Sequence, residues 1–155
     1  LNNLSKESFK THIMPFIDNL GIDYSQYQQL DELIEAMRSV KPNLQLIAQA
    51  LIPYLDTFKE YDEKGVSKFL IGSEETLILV IESLQTIKSW SEVEIDSMLV
   101  KIQEKLGLKT PQMNQPIRIA LTGSTQSPSL GLTIKLMGRN KSIELLNKAL
   151  KFITK

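Results

Sequence analysis

The chain has 155 residues, 42% hydrophobic and 23% charged, which is a globular balance with enough length to bury a core in one domain or two small packed lobes. It contains no cysteine, which excludes disulfides, thiolate metal sites and thiol nucleophiles. The net charge of zero conceals an asymmetry: residues 1 to 96 hold 8 Lys/Arg against 16 Asp/Glu, whereas residues 97 to 155 hold 10 against 2.

Nearly every segment carries apolar residues at helical spacing, and none shows the sustained two-residue alternation of a half-buried strand, so the sequence predicts an all-α protein. Phe9, Ile13, Phe16, Ile17 and Leu20 form the first stripe, between Ser5 as N-cap and Gly21 as stop. Pro15 inside it predicts a kink or two shorter helices. Tyr27, Leu30, Leu33, Ile34 and Met37 make the next stripe, ending before Pro42. A third runs from Leu44 through Ile47, Leu51, Tyr54, Leu55 and Phe58, with a second kink expected at Pro53. After the polar turn Asp62 to Gly65 a short helix is predicted over Val66 to Leu70, then a break at Gly72. Glu74 and Glu75 favour the positive end of the following helix, whose apolar face is Leu77, Val80, Ile81, Leu84 and Ile87.

Beyond Trp90, Ser91 and Glu94 form a capping box for a helix carrying Ile95, Met98, Leu99, Ile102 and Leu106 and stopping at Gly107. Thr110-Pro111 and Gln115-Pro116 each predict a short helix start, because proline is tolerated where its missing amide hydrogen would be unpaired. Ser127-Pro128 repeats the signal, and Gly138 closes that helix. The last helix begins near Asn140 and buries Ile143, Leu146, Ala149, Leu150 and Ile153. The chain thus divides into an acidic helical lobe, 1–88, and a basic one, 89–155.

Catalytic chemistry finds little to work with. His12 is the sole histidine, lies in the first stripe and has no triad pattern around it, so it reads as a surface or packing residue. The carboxylates Asp62 and Glu63, or Glu92, Glu94 and Asp96, lack the spacing of a calcium loop, and Gly72 and Gly123 lack the companion glycines of a nucleotide cradle. No apolar run approaches the roughly 20 residues of a membrane span, and the start Leu1-Asn2-Asn3 lacks a signal-peptide pattern. A cytoplasmic setting with no membrane partner is expected, and the leucine at position 1 points to a trimmed or partial chain. The charge asymmetry admits two readings: acidic and basic helices neutralising one another, or a C-terminal third that meets a polyanion and releases its counterions.

The informative stretch is Pro116-Ile117-Arg118-Ile119-Ala120-Leu121-Thr122-Gly123-Ser124. It resembles the "P-L-R-x-A-L-T-G" signature of bacterial-type glutamyl-tRNA synthetases, followed at that family's spacing by Ser127-Pro128-Ser129-Leu130 and by Met137-Gly138-Arg139. Trp90, the Gly107-Leu108-Lys109 link, Arg38 with Leu44, and Leu4 to Leu20 extend the resemblance over the chain, more strongly after Trp90 than before it. The family's His-Ile-Gly-His and Lys-Met-Ser-Lys-Ser nucleotide-site signatures are missing, as a C-terminal anticodon-binding part would show.

The resemblance implies two packed helical lobes that hold the anticodon loop of tRNA(Glu). The parent enzyme, a glutamate-tRNA ligase, would attach glutamate using ATP with magnesium in a separate N-terminal catalytic domain, so this chain would carry no catalytic residue, cofactor or metal of its own, and would act as a monomer. It further implies that Arg118, Ser127, Pro128 and Leu130 lie at the anticodon and that Arg38, or Lys41 with a small alignment shift, helps to read the third base. Gly131 departs from the pattern, where an aromatic residue is common. These residue types suit anticodon binding, since a guanidinium forks onto a base edge, a helix mouth offers amides, and an apolar ledge stacks an unpaired base. The competing class is a helical protein-interaction or structural domain, in which Arg118 pairs with an acid, Pro128 merely starts a helix and Leu130 is core.

Overall fold

A computed structural model describes residues 3 to 155 and shows helices, with no strand among the described residues. The chain forms two compact units, Leu1–Phe58 and Lys59–Lys155. The charge pattern suggests a division near residue 88. Packing places it earlier, because the helix over residues 74 to 86 buries its apolar face against helices of the C-terminal half.

In the first unit, α1 (Lys6–Asp18) starts at Ser5, whose hydroxyl accepts the Ser8 amide at 3.1 Å. Pro15 does not divide it. The proline sits on the exposed side, and the Thr11 carbonyl that loses its amide partner belongs to an exposed residue, so the loss falls on the solvent side of the helix. α2 (Leu30–Met37) and α3 (Leu44–Ala50) pack on α1, and Phe9, Ile13, Ile17, Leu33, Ile34, Met37, Ile47 and Leu51 are buried. Asn43 caps α3 through the Leu46 amide at 2.9 Å. At Pro53 the expected break does occur: α3 ends at Ala50, and α4 (Ile52–Leu55) restarts with the proline in its first turn.

In the second unit, α5 (Glu63–Gly65) is capped by Asp62 and runs into a π-helical turn, Val66–Leu70, where the sequence suggests an ordinary short helix. The Ile71 amide reaches back five residues to the Val66 carbonyl at 3.0 Å. Gly65 gives close packing here: a Cβ would stand 2.8 Å from the end of the Ile119 side chain, on the helix over residues 110 to 122, which would then have to shift. α6 (Glu74–Thr86) follows, and then α7 (Glu92–Leu106), which is capped by Ser91 and ended by Gly107 in the left-handed conformation, φ 65°.

α8 (Thr110–Thr122) is one helix, not the two suggested by its prolines. Pro116 removes only the amide that would reach the exposed Gln112 near the helix start, while Ile117, Ile119, Ala120 and Leu121 beyond it are fully buried and hold the later turns in place. α9 (Leu130–Met137) and α10 (Arg139–Ile153) are joined through Gly138 alone. α10 packs on α6, α8 and α9; α9 also packs on α7; and α8 lies against the π-helical turn.

Candidate nucleic-acid interface

The resemblance singles out residues on α8 and on the segment that follows it. α8 ends at Gly123, whose φ of 75° is one that a residue with a Cβ rarely adopts. The Thr122 hydroxyl closes this end, donating to the Arg118 carbonyl at 2.7 Å and accepting the Ser124 amide at 3.2 Å. From the other side, the Asp62 amide donates to the Gly123 carbonyl at 2.7 Å. Residues 123 to 129, though not helical, are therefore tied at their start to two separate elements.

This turn brings Arg118 and Ser127 together. Arg118 Nε donates to Ser127 Oγ at 2.7 Å, and one terminal nitrogen reaches Gln115 Oε1, one turn earlier on α8, at 3.4 Å. Ser127 Oγ also lies 2.7 Å from the Pro128 carbonyl and 3.2 Å from the Thr133 hydroxyl, and Thr133 is itself 3.1 Å from the same carbonyl. Arg118 and Ser127 are half-buried, whereas Thr133 is fully buried. Thr133 carries no signal in the sequence, since a threonine within an apolar helix reads as packing; its spacing of six from Ser127 gains meaning only once the turn is known.

Pro128 and Leu130 do not face outward. Pro128 is buried and Leu130 is 5% exposed, so their side chains pack inside the unit instead of forming an open ledge beside Arg118. Gly131 explains its own departure from the family pattern. A Cβ there would collide with Asp96 Oδ1 of α7, so an aromatic ring could enter only by swinging that carboxylate away from the first turn of α9.

Arg38 belongs to the first unit, at the end of α2. Its guanidinium lies 4.8 Å from the centre of the Phe9 ring, pairs with Glu35 at 2.9 Å and donates to the Leu4 carbonyl. With its side chain 13% exposed, it ties α2 to the start of the chain. Lys41, the alternative, is half-buried just after α2. His12 is exposed, and its ring Nδ1 lies 2.6 Å from the Ser8 carbonyl of its own helix.

The ion pairs Lys10–Asp31 and Arg38–Glu35 both join residues of the first unit. In the second unit Lys101, Lys105, Lys109, Lys148 and Lys151 are exposed along α7, before α8 and along α10. No group of three or more His, Asp or Glu side chains is placed to hold a metal ion among the described residues, and no helix there is long and apolar enough to cross a membrane.

The family model described as "Anticodon binding domain" matches residues 8–150. Among solved structures, the chain is similar to a glutamate tRNA ligase from Elizabethkingia meningosepticum CCUG26117, crystallised in complex with its amino acid, with a TM-score of 0.82 at 16% identity. A glutamate-tRNA synthetase from Elizabethkingia anophelis gives 0.78 at 17% identity. Both comparisons cover 97% of this chain but only 30% and 29% of those chains, so this chain spans less than a third of their length.

Proposed function

The chain belongs to the anticodon-binding domain family, and from that membership we propose that it recognises the anticodon loop of tRNA(Glu) as the C-terminal part of a monomeric, cytoplasmic glutamate-tRNA ligase. Attachment of glutamate with ATP and magnesium is assigned to a catalytic domain outside this chain; no step of that chemistry is assigned to the chain's own residues.

The observation that carries the reading is the Arg118–Ser127 pair. A guanidinium loses conformational entropy when it grips a base, and that loss is smaller if the protein has already fixed its orientation. Here the Nε edge is held by the serine, and one terminal nitrogen by Gln115. Exposed lysines on the same unit supply the sequence-independent attraction to phosphates that brings an RNA loop within reach. Arg118 is thus assigned as the reading side chain and Ser127 as its support, while Pro128 and Leu130 shape the turn from beneath. Arg38 would reach a base only by leaving Glu35 and the Phe9 ring.

Arg118→Ala is expected to weaken binding of the tRNA(Glu) anticodon stem-loop about tenfold, or roughly 1.4 kcal/mol, and to shrink the preference over a loop with one anticodon base changed. Fluorescence anisotropy with both hairpins at fixed salt measures this. An equal loss for both hairpins would make Arg118 a phosphate contact, and no loss for either would remove it from the interface.

A further inference from the structure

We infer that Thr133 is a positioning residue for Arg118: with Ser127 it forms a hydroxyl relay that fixes the guanidinium, although Thr133 is itself out of reach of any RNA. This rests on the assignment of Arg118 as the reading side chain.

Proton counting carries the inference. A serine hydroxyl has one hydrogen to donate and two lone pairs to receive. Ser127 Oγ has three partners, at 2.7 Å, 2.7 Å and 3.2 Å. Arg118 Nε only donates, so one serine lone pair takes the guanidinium, and the single serine hydrogen goes to the Pro128 carbonyl or to Thr133 Oγ1. Thr133 Oγ1 completes the set: it stands 3.2 Å from Ser127 Oγ and 3.1 Å from the Pro128 carbonyl, and belongs to a residue 0% exposed. In either arrangement the Ser127 hydrogen is used within the protein, and its hydroxyl has none left for a base. Serine at this place orients; it does not read.

Thr133 makes the orientation stiff. It sits on the first turn of α9, after Leu130 and Gly131, and α9 is anchored through Leu130 and Ile134 in the core. The Ser127 hydroxyl is free to rotate about its Cβ–Oγ bond, and the Thr133 hydroxyl beside it favours the rotamer whose lone pair points at Arg118. The Arg118 fork is thus tied through two hydroxyls to a helix whose side chains are buried, and not merely to a turn.

The test is Thr133→Val in the chain of 155 residues, with Thr133→Ser as the control that keeps the hydroxyl. Hydrogen exchange at Arg118 Nε, followed by 15N-resolved NMR without RNA, should accelerate at least fivefold in the valine variant and stay near the parent rate in the serine variant. The preference for the tRNA(Glu) stem-loop over a single-base variant should fall about threefold in Thr133→Val, with no further fall when Thr133→Val is added to Arg118→Ala. An unchanged Nε exchange rate, or an equal fall in the Arg118→Ala background, would overturn the positioning role. If the parent chain showed no preference between the hairpins while Nε exchange still accelerated, the anticodon reading would fall and the relay would stand.

Discussion

Arg139→Ala should destabilise the second unit by about 3 kcal/mol, although this arginine is only half-buried and sits at the very start of α10. Its two terminal nitrogens donate to the Leu84 carbonyl at 2.5 Å and to the Ile87 carbonyl at 2.9 Å, at the C-terminal end of α6. Those carbonyls have no helical amide to receive and carry the negative end of the helix dipole, so a cation there satisfies both needs at once. The guanidinium also lies 5.0 Å from the centre of the Trp90 ring, and the Trp90 indole donates to the Lys135 carbonyl of α9 at 3.1 Å. Arg139 and the ring it faces thereby join α6, α9 and the start of α10. Arg139→Lys should recover less than half of the loss, since an ammonium has no planar fork to bridge two carbonyls while facing a ring. Urea denaturation followed through the single tryptophan measures both variants. A loss below about 1 kcal/mol for alanine would mean that water replaces the arginine at the α6 carbonyls.

Leu130→Ala is also expected to lower stability by about 3 kcal/mol, the usual cost of a cavity where a leucine was nearly enclosed. Leu130 is 5% exposed, at the start of a helix whose Ile134 and Leu136 are buried with it. Leu130→Met, which keeps the volume, should cost less than about 1.5 kcal/mol. Unfolding and stem-loop affinity measured on the same samples separate two roles. A core leucine loses stability; an RNA-stacking leucine keeps stability and loses affinity.

The fold class is legible in the sequence because amphipathic periodicity and capping residues act locally. Ser5, Ser91 and Gly107 end their helices where their chemistry dictates. Proline is harder to read. Pro53 breaks a helix whereas Pro15 and Pro116 do not, although the residue one turn back is exposed in all three cases, so the proline and its local surroundings alone do not decide the outcome. The π-helical turn at Val66–Leu70 lies against α8, and no local pattern in the sequence distinguishes it from an ordinary helical turn. Charge misplaces the division of the chain because it marks surface and not packing.

At the candidate site the motif names residues that the structure brings together in part, but it cannot assign their orientations. Arg118 and Ser127 are nine residues apart and meet only because the turn after Gly123 reverses the chain. Leu130 has an identity that suits both an exposed ledge and a core position, so sequence alone leaves its burial undecided. Trp90 and Arg139, both part of the family resemblance, are tied to each other and to α6 and α9, a structural role that their spacing in sequence does not reveal.

The most direct measurement compares the 155-residue chain on two hairpins that share a stem, one with the tRNA(Glu) anticodon loop and one with a scrambled loop, over a series of salt concentrations. Anticodon recognition predicts that the cognate loop binds at least tenfold tighter at every salt concentration, while both affinities fall with a common slope set by phosphate contacts. Equal affinity for the two loops across the series would contradict it and leave a helical domain that attracts RNA by charge alone.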